Sequence, residues 1–205
     1  MRIDFIADIG SLWSFIAWHG LLRALADYPN MFEIKPSFIQ TSSPFFPPSA
    51  ADKARFLRDR TEPLLAESGL SVPFDDLPDW NGDMFPASAL IEKAFKAGQQ
   101  KGVDFLTDVF DAFFLRARDI GDIDVLTEIA DRRGTDADYM TEFSDQPFRA
   151  PEQNALPPLR ALPCLVFDRK TTLFGANSVA CLKSMLDLTV RLNGERDFNR
   201  PEMKG

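Results

Sequence analysis

The chain has 205 residues, 45% of them hydrophobic and 26% charged, and a formal net charge of −8. Such a composition suits one large globular domain, or a domain carrying a sizeable insertion. The acidic balance speaks against a nucleic-acid partner, which needs a basic face, and no run of about 18 uncharged apolar residues offers a membrane span.

At the N-terminus Arg2 precedes an apolar run, but Asp4 and Asp8 interrupt it and no small-residue cleavage pattern follows. It is therefore read as a strand over residues 2–9 rather than a secretory leader, and the cytoplasm is the expected compartment. Gly10 breaks the strand. Ser11 is a good N-cap for a helix over Leu12 to Ala26, where Phe15, Trp18, Leu22 and Leu25 fall at helical spacing. Asp27-Tyr28-Pro29-Asn30 stops that helix, and Phe32 to Ile39 read as a second strand. Pro36 is tolerable there only near an edge or a bulge. These forty residues make a strand–helix–strand unit.

The composition then changes. Thr41 to Pro48 is rich in Ser, Pro and Phe, and from Ala50 to about Asp145 the signals are helical, punctuated by glycine and proline. Strand signals return at Leu162 to Phe167, followed by a turn at Asp168-Arg169-Lys170, a second strand over Thr171 to Phe174, and a final amphipathic helix through Leu182, Met185, Leu186 and Val190. The polar tail after Asn193 reads as loose. The expected architecture is an α/β domain of βαβ and ββα halves, residues 1–45 and 150–205, with an all-helical insertion domain over residues 46–149.

Two places carry candidate chemistry. Gly10-Ser11-Leu12-Trp13-Ser14 lies at a strand-to-helix junction, where free backbone N–H groups and the positive end of the helix dipole favour an anion. The dipole is worth roughly 0.3–1 kcal/mol, up to ~2 in partly buried settings. At about 1.36 kcal/mol per unit, it lowers a bound thiol's pKa by about one unit. Ser11 either serves that thiolate or simply caps the helix. The second place is Ala161-Leu162-Pro163-Cys164-Leu165, where a proline at a strand start removes a ladder donor. A cis Leu162–Pro163 bond beside a ligand is one reason for it, although trans is the usual state.

Cys164 and Cys181 are not spaced as Cys-x-x-Cys, and a chain with one histidine has little prospect of a zinc cluster. Cys164 sits in a strand and reads as an inert small hydrophobe more readily than as a reactive thiol. His19 lies eight residues beyond Ser11, about 12 Å along a helix, too far to be its base. Trp13 and Trp18, with Phe45, Phe46 and Trp80, either line an aromatic pocket or belong to the core.

Taken together, the Ser-x-x-Ser at the first strand–helix junction, the long helical insertion and the Pro-x-x-Val-Phe-Asp before a hairpin and Phe-Gly resemble the DsbA-like thioredoxin superfamily. The resemblance runs nearly the whole length of the chain. Within it, the sequence is most similar to the kappa-class glutathione transferase and 2-hydroxychromene-2-carboxylate isomerase family. Asp8-Ile9-Gly10-Ser11-Leu12-Trp13-Ser14 corresponds to that family's Asp-Phe-x-Ser-Pro-Tyr-Ser, and Ala161-Leu162-Pro163-Cys164-Leu165 to its Gly-Val-Pro-Thr-Phe. Phe174-Gly175-Ala176-Asn177-Ser178 corresponds to Trp-Gly-x-Asp-Arg, and Arg118-Asp119-Ile120-Gly121-Asp122 to Arg-Asp-Ile-x-Asp in the insertion.

The resemblance implies a thioredoxin fold, a cis Pro163, and glutathione as co-substrate for isomerisation or transfer on a small aromatic or hydrophobic electrophile. It implies Ser11 as the residue stabilising the glutathione thiolate, with Trp13, Ser14, Leu162, Pro163, Asn177 and Ser178 around the tripeptide, and a homodimer. Leu12 replaces the usual proline, Cys164 the usual threonine, and Asn177-Ser178 the charged Asp-Arg pair. Lys53 either matches a family lysine or is an exposed helix lysine. The alternative is a DsbA-like binding protein without dithiol redox activity, since Ser11 and Ser14 supply no thiols.

Overall fold

A computed structural model describes residues 1–39, 50–78, 85–135 and 160–198. Four strands form one sheet in the order β2-β1-β3-β4. Strand β1 (Arg2–Ala7) pairs in parallel with β2 (Glu33–Phe38), and the crossover between them is helix α1 (Leu12–Leu25). On its other side β1 pairs antiparallel with β3 (Cys164–Phe167), which forms a hairpin with β4 (Thr171–Phe174). This is the βαβ plus ββα arrangement expected from the sequence.

Strand alternation sorts the sheet's two faces. Ile3, Phe5 and Ala7 of β1, with Leu165 and Phe167 of β3, join the main core, whereas Ile6, Cys164 and Val166 form a smaller cluster on the opposite face. Strand β2 lies at the sheet edge, as Pro36 requires. The N–H groups of Glu33 and Ile39 donate to Met1 and Ala7 of the β1 side. The even-numbered residues of β2 therefore turn their backbone nitrogens outward, and Pro36 is the one with no hydrogen to offer.

Among the described residues, four helices lie between β2 and β3: α2 (Ala50–Ser68), α3 (Phe85–Ala97), α4 (Gln99–Phe114) and α5 (Ile123–Arg133). Helix α1 is wedged between the sheet and α4, which is why it is buried almost all round. Its Phe15 ring lies 4.9 Å from that of Phe114 and 6.1 Å from that of Phe110, while Trp18 stacks 5.2 Å from Phe5 of the sheet. Trp18 is fully buried and its Nε1–H donates to Thr107 Oγ1 at 2.9 Å. It is thus a core residue and not part of a pocket wall. The pocket partners Phe45, Phe46 and Trp80 lie outside the described residues, as do the boundaries drawn at 45–46 and 149–150.

The Arg118–Asp122 stretch links α4 to α5. Asp122 caps α5 by accepting from Asp124 N at 2.9 Å, Asp119 Oδ1 accepts from Gly121 N at 2.8 Å, and Ile120 is buried between them. At the other end Gly134 takes a left-handed φ of 58°, letting its N–H return to Ala130 and Asp131. The last helix, α6 (Val179–Phe198), packs on α1 and runs five residues past Asn193. The expectation of a loose tail from that point is therefore wrong up to Phe198. Among the described residues, no helix is long and apolar enough to cross a membrane, and no His, Cys, Asp and Glu side chains are grouped to hold a metal ion.

Candidate functional site at the start of helix α1

The site is built where the β1–β3 ladder stops. Register pairs Ile3 with Phe167, Asp4 with Val166, Phe5 with Leu165 and Ile6 with Cys164. Asp168 N–H donates to Arg2 O at 2.7 Å, so the even-numbered residues of β1 are those bonded to β3. Carried two residues further, past the cis Pro163, the same register would set Asp8 across from Leu162 as a further rung. It is not made. The Asp8 N–H donates to Ser14 Oγ at 3.2 Å, and the Asp8 carbonyl accepts from Ser11 N–H at 3.0 Å. The start of α1 has taken both groups.

Leu162 is consequently left over. Its neighbour Pro163 is tied to β4, where Gly175 N–H donates to the Pro163 carbonyl at 2.7 Å. Leu162 itself lies in a bend just ahead of the strand. Among the described residues, no hydrogen bond engages its backbone. The Leu162–Pro163 bond is cis, as the family resemblance implied.

Ser11 stands between β1 and α1 in extended conformation (φ −96°, ψ 121°) as the N-cap residue, but its side chain makes no capping hydrogen bond. Its carbonyl accepts from Ser14 and Phe15, so the backbone caps, and among the described residues the hydroxyl has no hydrogen-bond partner. The side chain is half-buried, as is Trp13 two residues on. Ser14 is different: it is fully buried and its oxygen is already an acceptor. Sequence reasoning grouped the two serines together, whereas the structure separates them into one reachable hydroxyl and one internal one. It also overlooked Asp8. Its Oδ1 accepts from Gly10 N–H at 2.9 Å, and the Asp-x-Gly spacing was the available signal for that turn.

Asn177 and Ser178 lead into α6. Asn177 Nδ2 donates to the carbonyls of Phe174 at 3.1 Å and Gly175 at 2.9 Å, and Ser178 Oγ accepts from Cys181 N–H at 3.2 Å as the helix cap. The Asn177 carbonyl lies 3.7 Å from where a Cβ on Gly20 would stand. Gly20 is nine residues beyond Ser11, or roughly 13 Å along α1 at ~1.5 Å per residue. Cys164 is fully buried, and burial, with the nearby Asp4 carboxylate adding to it, pushes its thiol up to about 11. His19 Nε2 is 2.9 Å from Asp111 Oδ1, so it is engaged between α1 and α4. Lys53 is half-buried on the first turn of α2, not on a solvated face.

A family model described as the DSBA-like thioredoxin domain matches residues 2–155. The chain belongs to this family. The DSBA-like match stops just short of the β3–β4 hairpin, but similarity in three dimensions continues through it. A probable DsbA oxidoreductase from Streptomyces coelicolor aligns with a TM-score of 0.72 and 19% identity, over 100% of this chain and 93% of that one. A 2-hydroxychromene-2-carboxylate isomerase aligns at 0.66 and 16%, over 95% and 98%. The cytosolic disulfide reductase DsbM from Pseudomonas aeruginosa, in its structure with GSH, aligns at 0.63 and 19%, over 96% and 100%. Among curated sequences, the uncharacterized protein YwbO of Bacillus subtilis is 28% identical over 128 residues, 61% of this chain and 60% of its own length. At these identities the solved structures share the DSBA-like fold, and their chemistry is their own.

Proposed function

We propose that the protein is a cytoplasmic glutathione-dependent isomerase or transferase acting on a small aromatic or hydrophobic electrophile. The observation that carries this reading is the pairing of an uncommitted Ser11 hydroxyl with an unpaired Leu162 backbone at one end of the sheet. The Leu162 N–H and carbonyl would receive an extended peptide as an added strand, which suits the cysteinyl backbone of glutathione. The thiol would then lie at the N-terminus of α1. There the Ser11 hydroxyl donates to the thiolate, and the helix end favours its negative charge.

The isomerase chemistry follows from a nucleophile that leaves again. The thiolate adds to an electrophilic carbon conjugated to a carbonyl, and the displaced π pair moves to the carbonyl oxygen. The former double bond rotates as a single bond, and the pair returns as the C–S bond breaks. No net proton or electron is exchanged. Transfer uses the same addition, but the enolate takes up the proton that the thiol gave up, so the C–S bond stays. Trp13, half-buried two residues on from Ser11, would meet an aromatic substrate there. A homodimer is proposed on family resemblance.

Dithiol exchange fits these residues poorly. The chain has two cysteines, of which Cys164 is buried and held protonated. A binding protein on the same scaffold, without turnover, is the second reading. It is favoured by Asn177 and Ser178, whose polar groups are spent on the loop and on capping α6, with no charge offered to a γ-glutamyl carboxylate.

Calorimetric titration with glutathione tests the proposal. Saturable binding is expected, weakened about tenfold in Ser11→Ala as a hydrogen bond to a charged group is lost, with aromatic electrophiles turned over by the parent protein alone. No heat and no thermal shift at millimolar glutathione would leave only the second reading.

A further inference from the structure

We infer that Ser14 is a positioning residue: its buried hydroxyl keeps the Leu162 backbone open by occupying the Asp8 N–H that would otherwise bond to it. The inference rests on the reading of Leu162 as the ligand's strand partner, but its structural half stands alone.

Three observations converge. The β1–β3 register, carried two residues beyond its last pair Ile6 with Cys164, would set Asp8 opposite Leu162. Asp8 gives its N–H to Ser14 Oγ instead, across six residues and out of contact with solvent. The Ser11 N–H holds the Asp8 carbonyl by a backbone bond that no side-chain substitution removes. Of the two interactions that interrupt the rung, only the Ser14 one is written in a side chain. A buried N–H stripped of its acceptor is costly, and the nearest replacement along the ladder is the Leu162 carbonyl. Ser14 therefore acts on the ligand through Asp8 without touching it, which accounts for a fully buried serine one helical turn from the reachable one.

In Ser14→Ala the Asp8 N–H should turn to the Leu162 carbonyl, filling one of the two positions the ligand needs. The test is a through-hydrogen-bond coupling between the Asp8 amide nitrogen and the Leu162 carbonyl carbon, measured by NMR on the ligand-free full chain. It should be absent in the parent protein and present in Ser14→Ala, with glutathione binding about tenfold weaker for one lost hydrogen bond. Ser14→Thr restores the hydroxyl and should restore both readouts. Ser14→Cys keeps the volume with a poorer acceptor, so it reports the same change should Ser14→Ala fold badly. A coupling already present in the parent, or absent from both Ser14→Ala and Ser14→Cys, overturns the inference. So does a coupling that appears while glutathione affinity stays unchanged. If the parent binds no glutathione the proposed function fails, yet the coupling still decides whether Ser14 holds the rung open.

Discussion

Cys164 and Cys181 are the same residue in two different environments, and the difference can be measured directly. Cys164 is fully buried in β3 with its thiol pushed up to about 11, while Cys181 is half-buried on the first turn of α6. An aromatic disulfide reagent at pH 8 should titrate one thiol in the folded protein, and Cys181→Ser should abolish that reaction. Both should react after denaturation. Asp108 is the electrostatic counterpart. Burial opposes its ionisation, but Arg133 grips it through Nε at 2.6 Å and Nη2 at 3.0 Å, with Arg132 adding a contact at 3.3 Å. The guanidinium groups win, and the carboxyl is held below the ordinary aspartate range. A depressed folded-state pKa stabilises the protein above the unfolded value, and that stability drains away as pH falls below about 4 through the folded value. Asp108→Asn should cost about 1–3 kcal/mol at pH 7. It should also flatten the fall in melting temperature below pH 4, measured by scanning calorimetry.

At the scale of elements, the junction between α3 and α4 is set by a missing side chain. A Cβ on Gly102 would sit 2.2 Å from the Phe95 ring, well inside contact distance, so the two helices meet through a ring laid on bare backbone. Gly102→Ala should destabilise by about 1–3 kcal/mol despite its better helix propensity. Phe95→Ala in the same chain should remove most of that penalty, which a double-mutant cycle by denaturant unfolding resolves. Elements with strong punctuation were legible from residues alone. β1, α1 and the β3–β4 hairpin were read within two residues of their ends, because Gly10, the Asp27–Asn30 stop and the Asp168–Lys170 turn leave little choice. The end of α6 was not, since Gly194 and the polar residues around it suggest a tail whether or not the helix propagates through them. The site was legible only as a location. Its anchors Ser11 and Pro163 were found, but which serine is internal depends on the ladder register between residues some 150 positions apart, which no local pattern contains.

For the molecule as a whole, a single hydrophobic core joins the sheet, α1 and the helices of the insertion, from Phe5 through Phe15 to Phe110 and Ile129. The α/β domain and the helical insertion named from the sequence therefore share their interior, and α1 is common property: one face supports the sheet, the other carries α4. The DSBA-like match covers the chain to residue 155, and the hairpin that completes the sheet is recognised by shape rather than by sequence. Pro36 has a bearing beyond its own strand. An exposed strand margin is a template, and a second molecule unfolding nearby could lay its own backbone along β2 and begin a fibril. Such a newcomer would find one rung with no donor in the middle of the margin. The proline that looked like a defect in a strand thus works as a stop against runaway association.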